Sequence, residues 1–329
     1  MHHPPKQTIP LPDRVLAIDA GQTGIRARAH ANGSRESPHD FPGIRTDRPL
    51  APQLRSVVER VGMATGGTFA AVAVGTSGLT DAGGEAQRLL DACSGLGVGR
   101  VLVAHDSVTS YLGALGDHPG AVIASGTGVV TLAVGAASVA RVDGWGYLMG
   151  DAGSGYWLGI EAFRTVMRAH DGRGPATALT AVLAEDFPNV EHAYVELQTD
   201  PHRVRRIASY APRVTALAAT DAVAADICAR AAAELAHSTA TGLRRVGEDA
   251  RPDPVVCCLG RVFGAGEIRG PFLDRLRQQW PGVELREPLG TGLDGAALLT
   301  TLAQDSALGQ HVQIAESTGA ASGRSAARR

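Results

Sequence analysis

The sequence predicts an α/β protein built from two related lobes, and three patterns support this prediction. Short apolar runs of strand length alternate with segments of helical periodicity along most of the chain. A strand–glycine turn–strand unit, "VLAIDAGQTGIRARA", occupies residues 15–29. A second such unit, "AVIASGTGVVTLAV", occupies residues 121–134. The repetition predicts one such unit in each lobe, with a cleft between the lobes.

The elements of the first lobe follow from apolar spacing and from glycine-rich breaks. After the first unit, the spacing predicts helices and buried strands in alternation. In chain order the predicted strands are 15–19, 25–29, 70–74 and 101–104, and the predicted helices are 50–61, 85–94 and 107–115.

The second lobe begins with the second strand–turn–strand unit and continues as a mostly helical stretch from 155 to 247. A strand at 255–259, a helix ending at 279, a strand at 283–285 and a helix at 293–302 follow. These elements predict five segments: a flexible leader at 1–13, a first lobe at 14–117, a second lobe at 118–292, a last helix at 293–304 that packs back on the first lobe, and a disordered tail at 305–329.

Composition narrows the classes of function. The 329 residues carry a net charge of −2, so no basic field favours nucleic acid or an anionic membrane as a partner. Apolar residues make up 44%, which is typical of a soluble globular protein, and no apolar run approaches the roughly 20 residues that span a bilayer. The four cysteines form no CxxC pair, which predicts buried reduced thiols in a cytoplasmic protein.

The two glycine turns, "DAGQTG" and "SGTG", each join two predicted strands by a turn that has no bulky side chain. Backbone N–H groups without bulky neighbours can approach a polyphosphate closely, and Thr23 and Thr127 add hydroxyl donors. The alternative is an ordinary tight hairpin turn, which Gly and Asp also favour. Neither turn matches the GxxxxGK[ST] loop, and the first leads into a strand, unlike a Rossmann turn.

Two aspartates follow predicted strands of the first lobe. Asp19 can hold Mg²⁺ through water, or it can cap the turn. Asp106 follows the strand at 101–104 and can accept a proton from a substrate hydroxyl, or it can act as the N-cap of the next helix. We expect His105 to be structural.

The stretch "GWGYLMGDAGSGYWLGIEAFR", residues 144–164, combines glycines with aromatic side chains and a carboxylate. Sugars present an apolar face beside a ring of hydroxyls, so Trp145, Trp157 and Asp151 suit a sugar. The alternative is a helix N-terminus with an aromatic core.

These motifs, in this order, resemble the N-acetylglucosamine kinase and glucosamine kinase family. The resemblance runs over residues 14–303, and "GWGYLMGDAGSGYW" is its most specific part. The family belongs to the sugar kinase/heat-shock chaperone/actin superfamily and shares a domain with the activator ATPases of 2-hydroxyacyl-CoA dehydratases. The resemblance implies two ribonuclease-H-like (actin-like ATPase) lobes. It also implies the use of ATP and Mg²⁺ to phosphorylate a small amino sugar, N-acetylglucosamine or glucosamine, at its 6-hydroxyl, and it implies a homodimer.

The same resemblance implies roles for residues that match the family's motifs. Asp106 matches the catalytic base and Asp19 the water-mediated Mg²⁺ ligand. The residues that match nucleotide and phosphate motifs are Gly21, Gln22, Thr23, Arg26, Ser125, Gly126, Thr127, Gly128, Gly260, Gly264, Ala265 and Gly266. The residues that match the sugar site are Asp106, Thr127, Gly144, Trp145, Gly146 and Asp151.

Three departures from the family pattern stand out. Arg261 replaces the second glycine of the adenosine motif, Val129 replaces a serine after the second turn, and the stretch "FPGIRTDRP" lacks the tryptophan that reads the sugar's 2-substituent. Asp47 in that stretch would suit a free amine. Two other functions stay open: an activator-type ATPase, which needs cysteines around an iron–sulfur cluster, and a non-catalytic regulator that binds sugar or nucleotide.

Overall fold

The computed structural model describes residues 14–31, 34–45, 47–79 and 83–317. They divide into two compact units: unit 1 comprises residues 14–118, 136–138 and 288–317, and unit 2 comprises residues 119–135 and 139–287. The boundary before residue 288 lies five residues earlier than the sequence analysis placed it. The leader at 1–13 lies outside the described residues.

The strands and helices of the described residues are named here in chain order. The strands are β1 (Arg14–Ala20), β2 (Ile25–Ala31), β3 (Ser34–Arg35), β4 (His39–Phe41), β5 (Ala71–Thr76), β6 (Arg100–His105), β7 (Gly120–Ser125), β8 (Val129–Val134), β9 (Val139–Val142), β10 (Val255–Leu259), β11 (Glu284–Leu285) and β12 (Gln313–Glu316). The α-helices are α1 (Leu50–Thr65), α2 (Glu85–Ala92), α3 (Asp106–Leu115), α4 (Gly155–His170), α5 (Leu179–Asp186), α6 (Ala193–Thr199), α7 (Arg203–Ala208), α8 (Ala211–Leu217), α9 (Ala222–Arg245), α10 (Gly266–Gln279) and α11 (Gly292–Leu298).

Unit 1 is built on one mixed sheet with the strand order β12-β6-β5-β1-β2-β3, and β4 also pairs with β2. β1, β5 and β6 are parallel, and β1 and β2 form an antiparallel hairpin. Every residue of β5 is buried, as expected for a central parallel strand, whereas β2 alternates between buried and exposed residues over its first half. The interior of β1, Val15–Ile18, is fully buried in this sheet, and Asp19 follows it near the carboxyl end of the strand.

Unit 2 repeats this arrangement in a five-stranded sheet with the order β11-β10-β7-β8-β9. β7 and β8 form the antiparallel hairpin, and β10 is parallel to both β7 and β11. Helices α4 to α9 fill the region between β9 and β10 and bury a large apolar cluster against the sheet. The stretch predicted as mostly helical at 155–247 is therefore helical.

Helix α11 packs on α3 in unit 1 at very short range. A Cβ placed on Gly113 would lie 2.0 Å from the Thr291 carbonyl oxygen, and one on Gly295 would lie 1.8 Å from the Thr109 carbonyl oxygen. Thr291 and Asp294 form a capping box that starts α11. Glycine at both contacts lets the helix backbones touch, which brings the N-terminus of α11 next to β1.

The prediction of a disordered tail from residue 305 is wrong for residues 305–317. Leu308 is fully buried, and β12 pairs antiparallel with β6 while Ala315 packs into the unit 1 core. The prediction rested on the composition of the whole tail, which is rich in Ala, Ser, Gly and Arg, and a four-residue edge strand within it is too short to show a period. Residues 318–329 lie outside the described residues. Among the described helices, none is long and apolar enough to cross a membrane.

Candidate active site

The first glycine turn lines a cavity of about 460 Å³ in unit 1. The turn is closed by a hydrogen bond from the Gly21 amide to the Gly24 carbonyl (3.0 Å), and the Ile44 amide donates to the Gly21 carbonyl (3.0 Å). The residues that line the cavity are Asp19, Gly21, Thr23, Gly24, Ile25, Arg26, Asp40 and Phe41. Asp19, Gly21, Thr23 and Arg26 were predicted, whereas Asp40 was not. Phe41 is the first residue of "FPGIRTDRP", the stretch that the sequence analysis compared with the loop that reads the sugar's 2-substituent. Gln22 is exposed on the turn.

Asp19 and Asp106 lie near each other at the carboxyl edge of the unit 1 sheet. Asp19 pairs with Gly75 on β5, Gly75 pairs with Ala104 on β6, and Asp106 begins the helix after β6. Burial raises the pKa of Asp19, the negative charge of Asp106 raises it further, and Arg26 partly offsets both. The strand register thus places two carboxylates where their charges interact.

The N-cap of α3 is His105, and this frees Asp106 from the capping role that the sequence left open. His105 Nδ1 accepts a hydrogen bond from the Ser107 amide (3.2 Å). The same nitrogen lies 2.9 Å from Asp106 Oδ1 and 2.8 Å from Ser107 Oγ. His105 thus caps α3, and its ring lies beside the Asp106 carboxylate. About a third of the Asp106 side chain stays accessible (35%).

The donor set around Asp19 fits a magnesium ion held through water. Mg²⁺ in nucleotide-dependent enzymes is bound by one or two carboxylates plus phosphate oxygens, and it keeps several waters. The part of the chain that the structure describes has no cluster of three or more His, Cys, Asp or Glu side chains that could enclose a metal directly. The sequence missed Gly292, at the start of α11, where a Cβ would lie 3.3 Å from Asp19 Oδ2.

The second glycine turn joins β7 and β8 in unit 2 and is fixed by the start of α4. The Gly126 amide donates to the Gly128 carbonyl (2.8 Å). The amides of Gly155 and Tyr156 donate to the carbonyls of Gly126 (2.8 Å) and Thr127 (3.0 Å). Thr127 is exposed on the turn, and Val129, which replaces the family's serine, is buried.

The adenosine-motif turn after β10 lies directly on the second glycine turn. Gly260 has φ +94°, and a Cβ there would lie 2.1 Å from the Ser125 carbonyl oxygen. A short 3₁₀ helix, Arg261–Gly264, follows, and Ala265 is the N-cap of α10. By contrast, a Cβ on Gly264 or Gly266 would meet no atom within 4 Å. Arg261 is exposed.

The loop from Asp143 to Gly153 is organised by the Asp143 carboxylate. It accepts hydrogen bonds from the amides of Gly144 (2.7 Å), Asp151 (2.8 Å) and Ala152 (3.0 Å). The Arg141 guanidinium donates to the Gly144 carbonyl (2.6 Å) and stacks 4.5 Å from the Trp145 ring, which is 58% exposed. Sequence reasoning missed Asp143 and Arg141. The "DG" of "DGWG" was the available signal, because Asp-Gly pairs mark turns.

Asp151 links this loop to the second glycine turn. Its side chain is buried, and a Cβ on Gly128 would lie 2.6 Å from Asp151 Oδ2. Burial raises the pKa of Asp151 and the charge of Asp143 raises it further, whereas hydrogen bonds from the Val129 and Gly146 amides lower it. Unit 2 therefore brings Gly128, Gly146, Asp151 and Gly260 into one connected set around the second turn.

Asp47 and the cysteines, which the sequence analysis also considered, lie outside this connected set. Asp47 is exposed and bridges Arg45 at 2.9 Å, and it does not line the cavity. All four cysteines are free, and burial raises the pKa of the Cys257 thiol to about 11 and that of Cys258 to about 12. Thiols held protonated in this way are poor ligands for a cluster, because the thiolate is the ligand.

Two ribonuclease-H-like units, each with a glycine turn at its hairpin, are the architecture of the actin-like ATPase fold. The chain belongs to the BadF/BadG/BcrA/BcrD ATPase family, whose profile matches residues 27–300.

Curated relatives and solved structures agree with this assignment. The chain is 30% identical over 186 residues to an N-acetyl-D-glucosamine kinase of Dictyostelium discoideum, which covers 55% of this chain and 58% of the relative. It is 32% identical over 111 residues to an N-acetylmuramic acid/N-acetylglucosamine kinase of Clostridium acetobutylicum, which covers 33% of this chain and 36% of the relative. A Chromobacterium violaceum structure, proposed to be an N-acetylglucosamine kinase, superimposes with a TM-score of 0.69 at 25% identity and covers 88% of this chain and 100% of that one. The matches thus span less than two thirds of the two curated relatives.

Proposed function

We propose that the protein is an ATP-dependent phosphotransferase that phosphorylates an amino sugar at its 6-hydroxyl. The observation that carries the proposal is the pair of interacting carboxylates, Asp19 and Asp106, beside a glycine-turn cavity in unit 1. The curated relatives are named as N-acetylglucosamine kinases, which makes N-acetylglucosamine the first substrate to test.

Asp106 acts as the general base in this proposal. It accepts the proton of the sugar hydroxyl, whose oxygen then attacks the γ-phosphate in line. The His105 ring lies beside this carboxylate, with Nδ1 2.9 Å from Asp106 Oδ1. Phosphoryl transfer needs little further covalent chemistry, so positioning and charge neutralisation supply most of the rate.

The phosphates are bound by the backbone amides of the two glycine turns, with hydroxyl donors from Thr23 and Thr127 and a charge from Arg26. Asp19 holds Mg²⁺ through water, and the ion when bound neutralises charge on the phosphate oxygens. Gly264 and Gly266 present bare backbone to the nucleotide on either side of Ala265, since a Cβ on either glycine would meet no atom within 4 Å beyond its chain neighbours.

The amino sugar is bound by the Asp143–Gly153 loop. Asp151 accepts hydrogen bonds from sugar hydroxyls, and Trp145 offers an exposed flat face beside Gly144 and Gly146. Two amide donors hold the buried Asp151 carboxylate in place, so it is oriented before the sugar arrives.

A coupled ADP-release assay with Mg-ATP tests the proposal against glucose, glucosamine, N-acetylglucosamine, N-acetylmannosamine and N-acetylmuramic acid. We expect a sugar-dependent rate with one amino sugar. Asp106→Asn should lower kcat by about 10²- to 10⁴-fold, the usual contribution of a general base. Asp91→Asn, an exposed aspartate on α2, is the matched control and should keep the wild-type rate.

The position of the phosphate is read from the product by NMR, and the 6-deoxy sugar should not react. A protein that binds an amino sugar but shows no rate above slow ATP hydrolysis with any sugar would be a regulator, and the phosphotransferase proposal would fail.

A further inference from the structure

A groove in unit 2, formed by α4, α6 and α7, combines apolar side chains with arginines. Its volume is about 700 Å³, which falls within the range of roughly 300–1,000 Å³ that is typical of small-molecule sites. Apolar side chains form its floor, namely Phe163, Met167, Leu197 and Ile207. Phe163, Leu197 and Ile207 are buried in the core, so the floor is rigid.

The rim of this groove carries positive charge. Among the residues that the structure describes, four arginines line it, Arg164, Arg168, Arg173 and Arg203, and no aspartate or glutamate does. Arg164 pairs with Glu161 (2.8 Å) and Arg173 with Asp171 (2.6 Å) outside the lining. Arg203 donates to the Asp200 carbonyl (3.3 Å) and the Tyr147 hydroxyl (3.3 Å).

Arg168 differs from the other three arginines. It is exposed on α4, and its guanidinium makes no hydrogen bond or ion pair with any residue that the structure describes. An unpaired guanidinium beside an apolar floor favours a ligand that has both an apolar body and an anion. Carboxylate, phosphate and sulfonate groups fit a guanidinium through two parallel hydrogen bonds.

The groove is separate from the residues assigned to phosphotransfer. Its lining includes no residue of the two glycine turns, and it includes neither Asp106 nor Asp151. It also lies on the middle and C-terminal part of α4, whereas the first residues of that helix bond to the second glycine turn.

We propose that this groove binds a small anionic amphiphile, with an acyl or aryl body on the Phe163–Leu197 floor and the anionic head at Arg168. The size of the cavity, the apolar floor and the one-sided charge of the lining each support this class of ligand. The proposal does not depend on the phosphotransferase activity.

Isothermal titration with decyl phosphate, kept below its micelle concentration, tests the site directly. Decanoate shares the anionic amphiphile chemistry, inorganic phosphate has only the head, and decyltrimethylammonium reverses the charge. We expect decyl phosphate and decanoate to bind with one site per chain, at least tenfold more tightly than the other two probes. Saturating ATP should not displace them, and Asp106→Asn should bind them as the wild type does.

Variants locate the binding. Arg168→Glu should weaken decyl phosphate binding at least tenfold, and Met167→Trp should block it by filling the floor. Arg205→Glu, an exposed arginine on α7 outside the lining, is the matched control and should bind normally. Circular dichroism establishes that each variant is folded.

Three outcomes would overturn the proposal. Equal binding of the cationic probe would show adsorption to apolar surface without charge recognition. Unchanged binding to Arg168→Glu would place the anion elsewhere. A dimer in light scattering that Met167→Trp dissociates, with no amphiphile bound, would make the groove an interface between two copies of the chain.

Discussion

Asp19 is a carboxylate that the fold holds in a partly desolvated place next to a second negative charge. Its pKa is raised by burial and by Asp106, so the folded state binds a proton more tightly than the unfolded chain does. The free energy of unfolding therefore falls as the pH rises through the raised pKa, and the cost is absent below the ordinary pKa of aspartate.

Asp19→Asn should stabilise the protein while removing its activity. The substitution deletes the charge and keeps the shape, so we expect about 0.5–2 kcal/mol of added stability at pH 7.5, the usual range for stabilising substitutions. Urea unfolding at pH 7.5 and pH 4.5 measures this, and the gain should shrink at the lower pH. A loss of stability at pH 7.5 would show that Asp19 is instead stabilised by the charge of Arg26.

Asp151 allows a matched test of the sugar site. Asp151 has φ +61°, a region that asparagine tolerates, so Asp151→Asn keeps the backbone. We expect the KM for the amino sugar to rise about tenfold to a hundredfold, the equivalent of about 1.5–3 kcal/mol for a hydrogen bond to a charged group. The KM for ATP should stay unchanged. Steady-state ADP release measures both, and an unchanged sugar KM would remove Asp151 from the site.

The sequence locates these aspartates because each follows a strand or stands in a dense glycine motif. It could not separate the roles of His105 and Asp106, because a cap depends on which side chain turns back to the Ser107 amide. The sequence also could not show that the Asp143 carboxylate organises its loop. The three amides that donate to it lie up to nine residues away and come together only in the folded loop.

The turn after β10 packs against the second glycine turn, and this contact restricts which residue can stand at its first position. Gly260 touches the Ser125 carbonyl of the second glycine turn, whereas Gly264, four residues later, faces open space. Both glycines belong to the same predicted nucleotide motif. The structure therefore separates a glycine that the fold needs from one that only a ligand would need.

Gly260→Ala should reduce stability, whereas Gly264→Ala should weaken the binding of ATP. Gly260→Ala forces a Cβ into the Ser125 carbonyl at a positive φ, so we expect a loss of about 1–3 kcal/mol or more in the free energy of unfolding. Gly264→Ala should leave stability within about 0.5 kcal/mol and raise the KM for ATP. Thermal unfolding and steady-state kinetics measure the pair. An unchanged KM for Gly264→Ala would place the nucleotide away from this turn.

Elements with strong apolar patterns were predictable, and weakly patterned ones were not. The strands β1, β5, β6, β7, β8 and β10 carry apolar runs, and β2 alternates apolar with basic residues, so their existence followed from the sequence. β12 has four residues with a single buried alanine, and only its pairing with β6 makes it a strand. A pattern that short is indistinguishable from a disordered segment of the same composition.

At the scale of the whole molecule, the two units repeat one topology with different additions. In each unit a hairpin is followed by a parallel strand on the side of its first strand. The repeated "DAGQTG" and "SGTG" turns predicted the two hairpins, but not the position of the parallel strand. Unit 2 adds the long helical region between β9 and β10. Periodicity revealed that this region is helical, but it could not reveal the groove among those helices, because the groove depends on tertiary packing.

Thiol chemistry provides a prediction for the whole chain. Burial raises the pKa of Cys228 and Cys257 to about 11 and that of Cys258 to about 12, and it also raises the pKa of Cys93. At pH 8 a thiol with a pKa near 11 is only about 0.1% thiolate, and the thiolate is the reactive form. The native protein should therefore react slowly with a disulfide reagent such as DTNB, and all four thiols should react at once in urea.

This measurement also discriminates between the kinase and the activator-type ATPase. An activator needs accessible thiolates to bind an iron–sulfur cluster, so its cysteines should react rapidly in the native state, and added iron and sulfide should protect them. Slow native labelling, with no protection by iron and sulfide, is the result that we expect. Rapid labelling of Cys257 and Cys258 that iron and sulfide suppress would favour the activator-type ATPase over the proposed phosphotransferase.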